Sequence, residues 1–317
     1  MKVKVERYVD FAIAPTEIEV QSGSIGFSKT LQFKVERNAD FAWRSYLKVL
    51  LPQLSANSGL TPPQTWVHYQ NAVALALLQK ASLWMGGNLI DQISGLFLDL
   101  FDELCLTRDK SYARLVGKCK TRQGLIALST SATDEDRLFY VPLVFCNYHA
   151  PHNSILLTNS GASDMYVKIE TSAINTIAQV ATYTSSSSTP IAIAADQPYV
   201  GSSKIAHGDI AQFKLLTYYI FTDKMERIKF VNSMHEVLIT QTQEMAEQSF
   251  TAGTTTKSLD LLFNHPVSQL WVVQRSDAAK TTYGNLFDYY GRASSDSSSV
   301  MPIANMQLQV RCVHSLL

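Results

Sequence analysis

Leu259-Asp-Leu-Leu-Phe-Asn-His-Pro-Val-Ser-Gln-Leu-Trp-Val-Val-Gln274 sets two apolar runs on either side of a polar Asn264-His265-Pro266 step. Proline fixes its own φ, disfavours helix at the residue before it and has no N–H to give to a ladder. The stretch therefore reads as strand, corner, strand. A chain that turns short apolar strands at such corners predicts an all-β sandwich or barrel.

Working outward, Val237-Leu-Ile239 reads as another strand, and Ser249 to Ser258 as a polar loop. Phe213-Lys-Leu-Leu-Thr-Tyr-Tyr-Ile-Phe221 has strand composition, and Thr222-Asp223 offers an N-cap for a short helix running through Phe230. Thr182 to Gly208, which contains Ser185-Ser-Ser-Ser188, has no sustained period and reads as a linker or long surface loop.

Towards the N-terminus, residues 1–24 form an arm ending in the turn-like Gln21-Ser-Gly-Ser24. Leu31, Phe33 and Val35 alternate with Gln32, Lys34 and Glu36, and Tyr46-Leu-Lys-Val-Leu-Leu51 follows, so two half-buried strands meet at Arg37-Asn-Ala-Asp40. Ser55 to Pro63 is a loop, and Ala72 to Met85 reads as apolar strand that stops at Gly86-Gly87-Asn88. Leu89, Ile90, Ile93, Leu96, Phe97, Leu100, Phe101 and Leu104 then recur at helical spacing. At least the second half of that run should be an amphipathic helix. Leu138 to Cys146 is a further strand, and Ile155 to Ile169 supplies two more around Asn159-Ser-Gly-Ala-Ser163.

At 317 residues the chain exceeds what one core usually serves, so two domains are expected. Hydrophobic residues make up 46% and charged residues only 17%, which argues for extensive buried surface and against disorder. Lys plus Arg (27) equals Asp plus Glu (27), which removes the basic footprint of a genome-coating protein. Lys118, Lys120 and Arg122 read as a solvated loop rather than a phosphate site. Cys105, Cys119, Cys146 and Cys312 form no CxxC pair and read as reduced thiols in a cytosolic setting, with no disulfide. No apolar run approaches the roughly 20 residues of a membrane-spanning helix. Neither a secretory signal nor an Asn-x-Ser/Thr sequon is present.

The chemistry-bearing residues have simple structural readings. His149 and His152 flank Ala150-Pro151 in a loop without a third ligand nearby, so no metal site is expected. His235 and Glu236, being strand neighbours, point to opposite faces and suit a polar contact at a domain seam. His265 belongs to the corner, with its ring bonded to backbone. Asp99, Asp102 and Glu103 read as the wet face of an amphipathic helix. Trp43, Trp66, Trp84 and Trp271 read as core or interface residues. No phosphate loop, dinucleotide fingerprint, nucleophile elbow or His-Glu-x-x-His occurs, so no catalytic, cofactor-binding or metal residue is assigned and no enzyme is expected.

Several segments, in the same order, resemble the double jelly-roll major capsid proteins of large DNA viruses. They are Glu36-Arg-Asn-Ala-Asp-Phe41 with Tyr46-Leu-Lys-Val-Leu-Leu-Pro52, then Trp84-Met-Gly-Gly-Asn-Leu-Ile-Asp91 with Leu98-Asp-Leu-Phe-Asp-Glu-Leu104, and Tyr140-Val-Pro-Leu-Val-Phe-Cys146. They continue with Tyr218-Tyr-Ile-Phe-Thr-Asp-Lys-Met-Glu-Arg227, His235-Glu-Val-Leu-Ile239, Phe263-Asn-His-Pro-Val267 with Leu270-Trp-Val-Val-Gln274, Asn285-Leu-Phe-Asp-Tyr-Tyr290 and Pro302-Ile-Ala-Asn-Met-Gln-Leu-Gln309. Asn147 to Ser154 departs from the family's apolar, proline-containing stretch. After Gln309 the family continues with further strands, whereas this chain ends at Leu317.

The resemblance implies two consecutive jelly-roll sandwiches with short helices in loops, the second incomplete. The expected division is an arm (1–24), a first jelly roll (25–181), a linker (182–209) and a second jelly roll (210–317). It implies a homotrimeric capsomer of pseudo-hexameric outline that tiles an icosahedral virion, is made and assembled in the host cytoplasm, and contacts neighbouring capsomers and minor capsid proteins. An internal viral membrane would be reached through other proteins. Sequence-specific nucleic-acid binding is not implied. The arm and the loops Ser55–Pro63, Thr182–Gly208 and Ser249–Ser258 are the expected contact regions. The alternative is a minor capsid or attachment protein whose jelly roll binds glycan, with Tyr283 to Tyr290 as the aromatic candidate.

Overall fold

A computed structural model describes residues 10–56, 65–106, 113–119, 121–158, 163–184, 192–193, 197–198, 205–233, 235–250, 256–275, 286–287, 289 and 305–308. Its strands are β1 (Phe11–Ile18), β2 (Thr30–Val35), β3 (Phe41–Leu50), β4 (Leu54–Ala56), β5 (Thr65–Tyr69), β6 (Leu78–Met85), β7 (Asn88–Ile93), β8 (Leu138–Leu143), β9 (Ile155–Leu156), β10 (Met165–Thr171), β11 (Ala178–Thr184), β12 (Ala192–Ile193), β13 (Gln197–Pro198), β14 (Ile205–His207) and β15 (Gln212–Thr222). The helices are α1 (Val73–Leu77), α2 (Gly95–Cys105), α3 (Arg122–Thr130), α4 (Ile174–Ile177) and α5 (Lys224–Asn232).

Two antiparallel sheets form a sandwich. One runs β1-β15-β3-β8, with β9 also on β3, and the other runs β2-β10-β6-β7. Their inner faces follow from the alternation in the sequence, since a strand with one face covered buries every second side chain. Leu31, Phe33 and Val35 of β2 and Met165, Val167 and Ile169 of β10 face Leu47 and Val49 of β3 and Phe213 and Leu215 of β15, all buried. Phe33 and Phe213 stack across the two sheets at 6.2 Å between ring centroids. Burying one such side chain stabilises the fold by roughly 1.5–3 kcal/mol, so this bilayer of apolar residues is the principal cohesive element. Two smaller sheets, β5 and β12–β13 around β11 and the pair β4–β14, lie beside it.

The break expected at Gly86-Gly87 and the N-cap expected for α5 are both present. Gly86 (φ 58) and Gly87 (φ 84) supply the two positive-φ residues of a tight hairpin that pairs Met85 with Asn88. Ser94 caps α2 by accepting a bond from Phe97 N at 3.1 Å, and Asp223 occupies the N-cap of α5.

Five readings are corrected. Val73–Leu77 is helix rather than strand: Ala72 turns at φ 54, Asn71 Oδ1 accepts from Ala72 N and Cys119 N, and every residue of α1 is buried. A short run buried on all sides carries no period to distinguish the two forms. Leu89–Ile93 is strand, because the hairpin pairs it with β6 before the helix begins. Phe213–Phe221, expected to open the second domain, lies between β1 and β3 in the first sandwich, and part of the expected N-terminal arm forms β1 at its edge. β15 joins that sheet because Phe213 and Leu215 alternate onto its buried face, whereas β1, mostly exposed, joins through its antiparallel ladder on β15. Finally, Val237–Ile239 and Leu259–Gln274 carry no strand assignment. The backbone there is irregular and forms no ladder with the described strands. The corner itself is present, with His265 exposed at φ 68.

Candidate assembly surface

Helix α2 lies where residues 235–250 and 256–275 pack back onto the sandwich, through Trp271 on Phe97 and Glu244 on Ser94. Residues at i, i+3 and i+4 share a helix face, so Asp99, Asp102 and Glu103 converge. Lys118 Nζ reaches all three, at 2.8 Å from Asp99 Oδ1, 2.8 Å from Asp102 Oδ2 and 3.0 Å from Glu103 Oε1. The carboxylates were expected on a wet face, but Asp99 and Asp102 are buried and only Glu103 is open to solvent. The lysine makes their burial tolerable, and it therefore sits in an ion cluster rather than on a free basic loop. Burial alone would lower the Lys118 pKa, yet its bonds to Asp102 and Asp99 outweigh that and hold it above its ordinary value. Lys120 and the Arg122 side chain lie outside the described residues.

Tyr289 adds a fourth group. Its hydroxyl donates to Asp99 Oδ2 at 2.8 Å, and burial, then the Asp99 charge, push the phenol well above its usual range. A half-buried phenol already bonded to a carboxylate is a poor glycan platform. Tyr290, Tyr283 and Gly284 lie outside the described residues.

Asp91 is a hub that sequence reading passed over, although a carboxylate inside an apolar strand was a signal. Oδ1 accepts from Gln92 N at 2.9 Å and Thr242 N at 3.0 Å, and Oδ2 accepts from Cys146 N at 2.9 Å. One buried side chain thus ties β7, the segment after β8 and the chain beyond α5 together. Burial raises its pKa to about 6 against the pull of these three bonds. The sign follows directly. The native protein holds this proton up to about pH 6, the unfolded chain only to about 3.8, so stability from protonation is complete below the lower value and lost as pH rises through the upper. The difference is on the order of 3 kcal/mol by pH 7. The urea midpoint of the native sequence is expected to fall between about pH 3.8 and pH 6, levelling off above that, and Asp91→Asn should flatten that fall. Equal slopes in both proteins would exclude Asp91 as its source.

Residues 235–250 and 256–275 run past α2 and β7 as a strap held mainly by side chains. Trp271 stacks on Phe97 at 5.4 Å, Ser94 Oγ donates to Glu244, Gln241 Nε2 donates to the Ile90 carbonyl, and Asn264 N donates to Gln243 Oε1 at 3.0 Å. Between strap and helix lies an open cleft of about 3820 Å³. Leu238 is 96% exposed and Leu262 85%, with Val267 and Val272 also exposed.

The other expected contact regions are brought partly together. Ala56 pairs with Ile205 and Thr65 with Thr182, so the flanks of the Ser55–Pro63 and Thr182–Gly208 loops lie side by side, while 57–64 and most of 185–204 lie outside the described residues. At the third loop, Lys257 Nζ donates to Ser249 O at 2.6 Å, and residues 251–255 are not described. Residues 1–9 of the arm are likewise outside the description.

His149 rests on Phe101 at 5.7 Å, and among the described residues no group of three His, Cys, Asp or Glu could hold a metal ion. His235 Nε2 donates to the Phe230 carbonyl at 2.7 Å. Trp43 is half-buried beneath Arg44, at 4.2 Å from guanidinium to ring, and Trp84 likewise beneath Lys168 at 4.2 Å. The Trp66 side chain is not described. Cys105, Cys119 and Cys146 are free thiols, and Cys312 lies outside the description. No helix among the described residues is long and apolar enough to cross a membrane.

The family model described as "Major capsid protein N-terminus" matches residues 1–223, ending one residue beyond β15. "Capsid protein 1" of Acanthamoeba polyphaga mimivirus is 26% identical over 289 residues, covering 86% of this chain and 44% of the relative. The "Major capsid protein" of Paramecium bursaria Chlorella virus 1 is 26% identical over 272 residues, covering 85% and 54%. Among solved structures, a chain of the PBCV-1 virus capsid superposes with a TM-score of 0.53 at 24% identity, covering 76% of this chain and 49% of the other. The Faustovirus major capsid protein does so with a TM-score of 0.52 at 11% identity, covering 73% and 57%. The chain spans about half the length of the curated relatives it matches.

Proposed function

The chain belongs to the major capsid protein family, and from that premise we propose that it is an architectural subunit of the virion shell of a large double-stranded DNA virus. The observation that carries the reading is the coincidence of the two-sheet sandwich built from residues 11–222 with the segment matched by the family model. Its mechanism is assembly: three copies associate into a capsomer of pseudo-hexagonal outline, and capsomers tile an icosahedral capsid through buried surface repeated at every contact. Neighbouring capsomers and minor capsid proteins are its partners, and assembly takes place in the host cytoplasm. On this reading the second block begins after Thr222 and takes in the chain beyond α5. No catalytic step is assigned to it.

The exposed apolar strap supports this reading, because monomeric proteins seldom leave such a surface uncovered. Light scattering coupled to size exclusion tests it. A stable species of roughly three chain masses, closed and symmetric as oligomers usually are, is the expected result. A monodisperse monomer across the micromolar range would count against a capsomer subunit.

A further inference from the structure

Asp40 ends the turn between β2 and β3 with its side chain 1% exposed, and its carboxylate accepts four bonds. Arg227 Nε donates to Oδ1 at 2.6 Å and Nη2 to Oδ2 at 3.1 Å. Thr222 N and Oγ1 donate to Oδ2 at 2.7 and 2.9 Å. Three of the four bonds fall on Oδ2 and one on Oδ1, and the forked guanidinium pairing fixes direction as well as distance. The Asp40 backbone is held too, its N–H donating to Ile220 O at 3.2 Å and its carbonyl accepting from Leu157 N at 2.8 Å.

The donors sit where the chain leaves the sandwich. Thr222 is the last residue of β15, and Arg227 lies on α5, none of whose nine residues is buried. A helix of that length without a buried face is marginal by itself, since nucleation is costly and packing normally supplies the stability. Among the described residues, the Asp40 bonds and an edge-to-face contact of Phe230 on Phe41 at 5.1 Å and 86° attach α5 to the sandwich. Both anchors come from the same turn, Arg37 to Phe41. The two sequence segments concerned, Glu36–Phe41 and Tyr218–Arg227, are thus one device in space.

We propose that this clasp sets the direction in which the chain departs from the first sandwich, with Arg227 as a positioning residue that holds α5 against the turn. This rests on reading α5 as the connector to the second block and not on trimer formation. The strands of the sandwich are paired and packed without Arg227, but removing its charge leaves the buried Asp40 carboxylate with only the Thr222 donors and so also costs some stability overall. Lysine cannot replace it, because a point charge does not reproduce the fork.

Hydrogen exchange followed by mass spectrometry on the full chain tests the proposal, comparing the native sequence with Arg227→Met and Arg227→Lys. Amides of residues 224–232 should exchange faster by about tenfold or more in Arg227→Met, where β2, β3 and β10 lose less protection than α5, and nearly as fast in Arg227→Lys, where the retained charge still faces Asp40 and the strands keep their protection. Unchanged exchange in α5 overturns the proposal. So does an equal loss of protection throughout the sandwich, which would make Arg227 a general stability residue. Should Arg227→Met not fold, the milder Arg227→Lys decides: protection lost in α5 alone supports the clasp, and protection retained there refutes it. The readout does not depend on oligomeric mass, so a failed capsomer experiment leaves it standing.

Discussion

Gly95→Ala is expected to be the most damaging single substitution in the first sandwich, lowering the urea midpoint by an amount equivalent to about 4–5 kcal/mol or leaving the protein insoluble. Gly95 is the first residue of α2, where the helix crosses the end of α1 and the start of β6. A Cβ added there falls well inside van der Waals distance of the Leu75 carbonyl oxygen and 2.7 Å from the Leu78 carbonyl oxygen. Both obstacles are backbone, so no rotamer change relieves the overlap. Val73 to Leu78 are all buried, and a close-packed interior has no room into which α1 could retreat. The helix would have to move outward, taking with it Asp99, Asp102 and the Phe97 platform on which Trp271 stacks. Chemical denaturation of the variant checks this, and a midpoint within about 0.5 kcal/mol of the native protein, the scatter of neutral surface changes, would show that the two helices can separate.

Lys118→Met should cost about 3–5 kcal/mol, because it leaves Asp99 and Asp102 buried without their cation. The penalty comes from the stranded charges and not from lost attraction, so it can be relieved without restoring the lysine. The triple variant Lys118→Met, Asp99→Asn, Asp102→Asn should regain most of the stability, since neutral amides are far cheaper to bury than carboxylates. The amide oxygen introduced by Asp99→Asn could still accept the bond that Tyr289 now gives to the carboxylate. Thermal and urea unfolding of the single and triple variants would decide the matter. A triple variant no more stable than the single one would mean that the lysine acts through packing of its stem.

These residues show how far sequence reading reaches. The i, i+3, i+4 spacing of Asp99, Asp102 and Glu103 correctly put them on one face of α2, but nothing in the spacing said that the face was covered. The covering group, Lys118, arrives from a turn after the helix, positioned by Gly117 at φ 81. Asp40 and Arg227, 187 residues apart, each stood in a recognisable segment, yet their partnership is a fact of the fold alone. Asp91 looked like an ordinary polar residue on a helical run until the hairpin turned that run into a strand and aimed its carboxylate at Cys146 and Thr242.

By itself the sequence determined the all-β class, the inward and outward faces of β2, the break at Gly86-Gly87, the N-cap of α5 and, by resemblance, the family. All of these are written in periods of two or four residues or in the conformational demands of single residues, which act over a few bonds. Only the tertiary structure decided that β1 and β15 complete the first sheet, that the α1 run is helical and that two carboxylates of α2 are buried. It also decided that the Leu259–Gln274 runs, strand-like in composition, carry no ladder. Strand pairing is settled by which edge is available across a hundred residues or more, and a β-strand is stable only beside another. Apolar alternation can specify a face, but a neighbour is needed to turn it into a sheet.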